Sequence, residues 1–337
     1  TKGAKQDPGP DGPKVALPVP SRWKIAATLE QKQRCTGLAF SVNSELLAAC
    51  GGGDATEEKE RKPPVVRLYK TSDWKPDGEL TGHTEAVVAV LFSPDSKSLV
   101  SAGGKLTRDA ELKVWDLATR KPVSQVRASG GVVGTMAFDP AGNILFTGGE
   151  SPLIKLWDFS TGKLPANAKP FEQFNGHTLY VTTLALSPDG KFLASASADL
   201  SLRLWTVSEA KLRTMLRGHF AQVNSCAFNA TGDYLASVAM NGEIKLWDIQ
   251  AVTELAAIRV EPKRMLVSVA FSIDTQWVAA GAADGSITII DFPNRKISET
   301  LKEFPDYVNQ VAFSPDGKYM AAAGEDGRVI VWHVPKN

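Results

Sequence analysis

One block recurs seven times along this chain, and that recurrence limits the fold more than any other feature. Each copy has the form apolar-Ala-Phe-Ser-Pro-Asp-Gly with local variations, anchored at Phe40, Phe92, Phe138, Leu186, Phe228, Phe271 and Phe313. The anchors stand 52, 46, 48, 42, 43 and 42 residues apart, a period that belongs to solenoids, propellers and arrays. Within each unit, short runs alternate apolar and polar residues, as in VTTLALS (181–187), FLASAS (192–197) and SLRLWTV (201–207). Pro-Asp-Gly, Ala-Gly or Thr-Gly turns separate them. A period of two marks half-buried antiparallel strands, and no stretch carries helical periodicity. A four-stranded unit cannot cover both of its own apolar faces, so the units are expected to stack radially and close into a ring.

Short dipeptides sit at fixed places in these units. Gly82-His83, Gly176-His177 and Gly218-His219 precede first strands, and Trp115-Asp116, Trp157-Asp158 and Trp247-Asp248 end third strands. The pattern resembles the WD40 repeat over residues 22–334. Departures are Tyr69-Lys70, Trp205-Thr206, Ile290-Asp291 and Trp332-His333 at the Trp-Asp position, and four units lack a Gly-His pair. The resemblance implies an all-β, seven-bladed β-propeller of four-stranded antiparallel blades. The last unit stops at Val334 after its third strand, and RWKIAATLE (22–30) stands where a fourth strand precedes every other unit. The N-terminal strand is therefore expected to complete the final blade, as the resemblance implies. Residues 1–21, rich in proline and poor in large apolar side chains, read as a flexible lead-in, and 22–337 as one propeller domain.

A His, a Ser and an Asp within one unit raise the question of hydrolysis. His177, Ser195, Asp199 and Trp205 form such a set; His83, Ser101, Asp109 and Trp115 repeat it, and His219, Ser237, Asn241 and Trp247 form a third version. A catalytic triad has no reason to be duplicated in several blades. The family resemblance implies a structural tetrad, in which the acid meets one imidazole nitrogen, Ser the other, and Ser also meets the indole N–H. Such a set satisfies the polar atoms that a buried Trp and His bring inside. With His333 at the Trp-Asp position, no His cluster remains for a metal or a general base. Gly51-Gly52-Gly53 lacks the Gly-Lys-Ser/Thr continuation of a phosphate loop. Cys35 and Cys226 occupy positions filled elsewhere by Val, Leu or Met and read as core residues. Hairpin register could bring Cys50 near Cys35, so a disulfide between them stays open. No catalytic, cofactor or metal site is expected.

Lys and Arg number 38 against 37 Asp and Glu, a formal net charge of +1, so no strong field draws nucleic acid or an anionic membrane. No run approaches the roughly 18 apolar residues of a membrane span, and the expectation is a soluble, monomeric ring with the cytoplasm as its favoured compartment. Loops before first strands and between second and third strands share one rim, where a protein or peptide partner is expected. Aligned rim positions hold Arg34, Arg108, Glu150, Tyr180, Thr182, Gln222, Asn224, Met240, Met265, Tyr307, Asn309 and Glu325. Tyr, Met and Arg are types enriched in binding hot spots. The loop at 51–64 reads either as a partner-specific arm or as a tolerated insertion, while 163–173, on the opposite face, reads as slack. The leading expectation is a non-enzymatic interaction platform. Its alternatives are a propeller with chemistry at its channel, or one domain of a larger protein.

Overall fold

The computed structural model describes residues 21–52, 63–104, 110–128 and 131–336. The lead-in at 1–20, most of the 51–64 loop, Arg108 and Asp109 lie outside the described residues. Seven four-stranded antiparallel sheets form a closed ring. Blade 1 comprises Cys35–Phe40, Leu46–Gly51, Val65–Lys70 and Pro76–Thr81, and the strands of blades 2 to 6 follow in chain order within 87–128, 133–174, 181–216, 223–259 and 266–302. Blade 7 takes its first three strands from Val308–Phe313, Tyr319–Gly324 and Arg328–His333, and its fourth from the N-terminal Lys24–Glu30. That strand pairs with the last one from Lys24↔His333 to Glu30↔Arg328.

First strands line the channel, and the core lies between blades rather than within them. The cluster joining blades 1 and 2, for example, packs Cys50, Val66 and Leu68 against Val90, Phe92 and Trp115. Cys35 faces the other way, toward Val329 and Val331 of blade 7. The two thiols thus occupy opposite faces of one sheet, and both are free, which removes the disulfide left open by the sequence. Burial pushes the Cys50 and Cys226 thiols up to about 12, so neither is a ready nucleophile.

Every first strand carries a bulge after its first residue, and bulges re-aim side chains. The skipped residues are Thr36, Val88, Gly134, Thr182, Asn224, Val267 and Asn309. Where such a residue is polar, its side chain turns to the next blade and donates to a backbone carbonyl: Thr36 to Val87 at 2.7 Å, Thr182 to Val223 at 2.6 Å, Asn224 to Leu266 at 2.6 Å and Asn309 to Cys35 at 2.9 Å. The residue after the bulge adds a second tie, for instance Gln310 accepting from Leu38 N at 2.9 Å. Thr182, Asn224 and Asn309, expected to meet a partner, therefore spend polar atoms on joining blades.

Blade 2 has Val88 and Ala89 at these two positions, side chains that cannot hydrogen-bond to blade 3. The gap is closed further out. Leu164 lies in the connection between the third and fourth strands of blade 3, fully buried among Val114, Val126, Trp157 and Phe159. Its N–H donates to Ser124 Oγ of blade 2 at 3.1 Å. Burying a leucine contributes roughly 2 kcal/mol. The 163–173 insertion is thus not slack: it clamps the one junction whose inner positions are both apolar.

Candidate functional site

The three His-containing sets assemble as hydrogen-bonded braces. In blade 4, Trp205 Nε1–H donates to Ser195 Oγ at 2.8 Å, Ser195 lies 2.7 Å from His177 Nε2, and His177 Nδ1 lies 2.9 Å from Asp199. The indole can only donate and the carboxylate can only accept. The carboxylate takes the Nδ1 proton of His177, and burial keeps that ring neutral, so its bare Nε2 accepts from the Ser195 hydroxyl. Burial holds its pKa below the usual histidine value. Burial also opposes the Asp199 charge, but hydrogen bonds from Ser201, the Thr178 backbone N–H and His177 hold that carboxyl at about 2. A serine already occupied on both sides by Trp and His has no free path to a substrate. Replacing His177 by Ala is expected to cost about 1–3 kcal/mol of stability through stranded partners, read as a lower urea midpoint. An unchanged midpoint would contradict a bracing role.

Blades 2 and 5 correct the acid assignment. His83 Nδ1 meets Glu111 at 3.0 Å, and His219 Nδ1 meets Glu243 at 3.1 Å; Asp109 and Asn241 were the expected partners. Asn241 Oδ1 instead accepts from the Glu243 backbone N–H at 3.3 Å. The physical reason is one methylene and two residues. Glu111 and Glu243 stand four before the tryptophan, where blade 4 has Ser201, and the longer glutamate reaches the ring from there. Each glutamate is also flanked by a buried lysine, Lys113 at 3.4 Å and Lys245 at 3.8 Å. In blade 1 a glutamine takes the histidine's place and Gln31 Nε2 donates to Tyr69 at 2.7 Å. In blade 7 Phe304 packs on Trp332 instead.

Several rim residues are likewise engaged within the ring. Glu325 accepts from Asn309 at 2.8 Å and pairs with Arg34 at 3.6 Å, and Glu150 accepts from Val132 N at 2.8 Å. Met265, Gln222 and Tyr307 reach the channel mouth. The channel encloses about 900 Å³, and among the described residues its lining includes no Asp, Glu, His, Lys or Arg. Among the described residues, no group of three or more acid, His and Cys side chains is placed to hold a metal.

The exposed large apolar side chains of the rim are concentrated in blades 4 and 5. Leu179, Tyr180, Leu200, Phe220 and Met240 are all exposed, Phe220 by 84%. Their loops are bonded together: Ala198 N donates to Tyr180 O at 3.1 Å, Met240 N to Gln222 O at 2.9 Å, and Tyr180 OH to Gln222 Oε1 at 2.9 Å. Alignment found Tyr180 and Met240 but missed Leu179, Leu200 and Phe220. Leu200 did leave a signal. It sits five residues before its tryptophan, where blades 5, 6 and 7 have Gly242, Gly285 and Gly327, all with φ between 80° and 84°. Leu200 adopts φ 68°, a left-handed conformation that costs a residue with a Cβ roughly 1–2 kcal/mol.

Six stretches of the chain, 74–116, 120–158, 168–206, 210–248, 262–291 and 296–333, match the family model described as WD domain, G-beta repeat. Most of blade 1, whose third strand ends in Tyr69-Lys70, falls outside them. The chain is similar to Telomerase Cajal body protein 1 of Mus musculus, 32% identical over 155 residues that make up 43% of this chain and 26% of that protein. Protein hir1 of Schizosaccharomyces pombe is 28% identical over 154 residues, 41% of this chain and 16% of the relative. Guanine nucleotide-binding protein subunit beta of Lymnaea stagnalis is 28% identical over 138 residues, 41% of this chain and 35% of the relative. The matched part thus spans no more than about a third of these relatives' lengths. With six repeats matched across more than half of its length and seven blades in its fold, the chain belongs to the WD40 family.

Proposed function

We propose that this chain is a non-enzymatic platform that holds protein partners on the rim of its ring. The observation that carries the reading is a division of chemistry. Among the described residues the channel lining has no acid, His, Lys or Arg, whereas the rim of blades 4 and 5 exposes five large apolar side chains. Exposed apolar patches rimmed by polar residues mark interaction sites, and a braced scaffold presents them at low ordering cost. Similarity over 41% of this chain to a guanine nucleotide-binding protein subunit beta, by its name one part of an assembly, agrees with this reading. Chemistry at the channel mouth would need converging ionisable groups. The titratable side chains of the lining are Tyr307 and Cys226, and burial raises the Cys226 thiol to about 12.

Tyr180 and Tyr307, both more than a third exposed, are the rim aromatics to test. The double variant Tyr180→Ala with Tyr307→Ala is expected to weaken capture of partners from a lysate of the source cells, with the melting midpoint nearly unchanged. Full retention by a folded double variant would move the binding surface off this rim.

A further inference from the structure

We infer that Asn175 is a self-modification site: the backbone nitrogen of Gly176 attacks its side-chain amide and converts it, without an enzyme, to aspartate and isoaspartate. The product loosens the brace of blade 4.

The chemistry follows from the dipeptide. Gly176 N forms a bond to Asn175 Cγ, the Cγ–Nδ2 bond breaks, and ammonia leaves with the proton that Gly176 N carried, closing a five-membered imide. Water then opens the imide. Addition at Cγ gives aspartate; addition at the Asn175 backbone carbonyl gives isoaspartate, with the chain running on through Cβ and Cγ. Glycine favours the first step, because it has no Cβ to obstruct the approach and can turn its nitrogen toward the ring that forms.

The sequence holds two Asn-Gly pairs, at 175–176 and 241–242, and the fold separates them. The second pair is held. Gly242 N–H donates to Ala239 O at 3.1 Å, and Asn241 Oδ1 accepts from Glu243 N–H at 3.3 Å. Gly242 is also buried, with φ 83°. Asn175 and Gly176, by contrast, are both exposed in the link between Glu172–Phe174 and His177. Among the described residues, no hydrogen bond reaches the Asn175 side chain or Gly176 N–H. The reacting atoms at 175–176 are free to meet, whereas those at 241–242 must first leave two hydrogen bonds.

A cation completes the site. Arg203 Nη1 occupies the space that a Cβ on Gly176 would need, and the Arg203 side chain is only 12% exposed. A guanidinium beside Gly176 favours loss of its amide proton and stabilises the oxyanion that forms on Asn175 Cγ.

Isoaspartate lengthens the backbone by one methylene, about 1.5 Å, immediately before Gly176-His177. His177 is held at 2.7 Å from Ser195 and 2.9 Å from Asp199, and Asp199 also accepts from Thr178 N–H at 3.0 Å. A displacement of that size exceeds what these bonds tolerate.

The test ages the full chain in warm, mildly alkaline buffer and follows both Asn-Gly peptides by mass spectrometry, with isoaspartate counted by an isoaspartyl methyltransferase. Asn175 should convert roughly tenfold or more faster than Asn241, which has two hydrogen bonds to break first. In urea the two rates should converge. Equal rates in the folded chain would overturn the site. Arg203→Met should slow Asn175 severalfold and leave Asn241 unchanged, with Arg203→Lys restoring most of the rate; an Arg203→Met chain that ages like the parent would overturn the role of the cation. The aged chain should have a lower urea midpoint, recovered on repair by the methyltransferase, while Asn175→Asp, which adds charge without the methylene, stays near the parent. An unchanged midpoint at high isoaspartate content would overturn the loosening of the brace.

Discussion

Deleting residues 1–32 is expected to abolish the cooperative unfolding of the ring. The segment Lys24–Glu30 supplies the outer strand of blade 7 and hydrogen-bonds to its third strand along the whole of its length. Its flanks reach further. Trp23 is buried and packs edge-on against Trp277 of blade 6 at 5.9 Å and Phe313 of blade 7 at 6.2 Å. Gln31 donates its backbone N–H to Gly327 O at 2.7 Å and its side chain to Tyr69 of blade 1. The nine residues 23–31 thus tie three blades together. Loss of Trp23 and Leu29 alone removes roughly 5 kcal/mol or more, comparable with the whole stability of a typical domain. It also leaves the Arg328–His333 strand as an unpaired edge. Calorimetry of the truncated chain should show a broad transition or none, and Trp23→Ala an intermediate loss. A sharp transition at the parent's midpoint would mean that the ring closes without this strand.

The features that repeat were legible, because seven aligned copies average out local noise. The anchors, the strand alternation and the missing last strand together specify a ring closed by its N-terminus. The features that break the repeat were not. Asp109 and Asn241 align with Asp199, yet Glu111 and Glu243, two residues on, reach the histidines, because side-chain length decides contact where alignment sees only position. Thr182, Asn224 and Asn309 looked like exposed rim polars because a bulge is invisible in the sequence. The extra residue in the ladder turns them sideways onto the next blade. Leu164 lies in an insertion without repeat context, so its burial across the blade 2–3 junction left no periodic trace. Phe220 was passed over for the opposite reason: an apolar residue beside Gly-His has nothing in one sequence to say that it points outward, whereas Leu200 was findable from the glycines that three sister blades carry at its turn position.

The same braces predict acid sensitivity. Burial depresses His83 and His219 from 6.5 to about 4 and lowers His177 as well. Protonating Nε2 would end the hydrogen bond it accepts from the serine hydroxyl and place a charge in a buried site, so the neutral form is the folded form. In the unfolded chain these histidines take up protons near pH 6.5, so between that value and about 4 the unfolded state binds more protons than the folded one. Stability contributed by the neutral rings is complete above pH 6.5 and is lost as pH falls toward 4. The depression corresponds to roughly 3 kcal/mol for each of His83 and His219, and these rings together with His177 should lower the urea midpoint steeply over that interval. Blade 1 supplies the control, since Gln31 fills the histidine position with a group that donates and accepts without titrating. Replacing His83, His177 and His219 by Gln should lower stability at pH 7.5 yet flatten its decline between pH 6.5 and 4. Asp199, paired with His177 and held at about 2 in the fold against 3.8 for a free carboxyl, loses its own contribution below that window. If the triple variant loses stability with acid as steeply as the parent, groups other than these rings govern the acid limit.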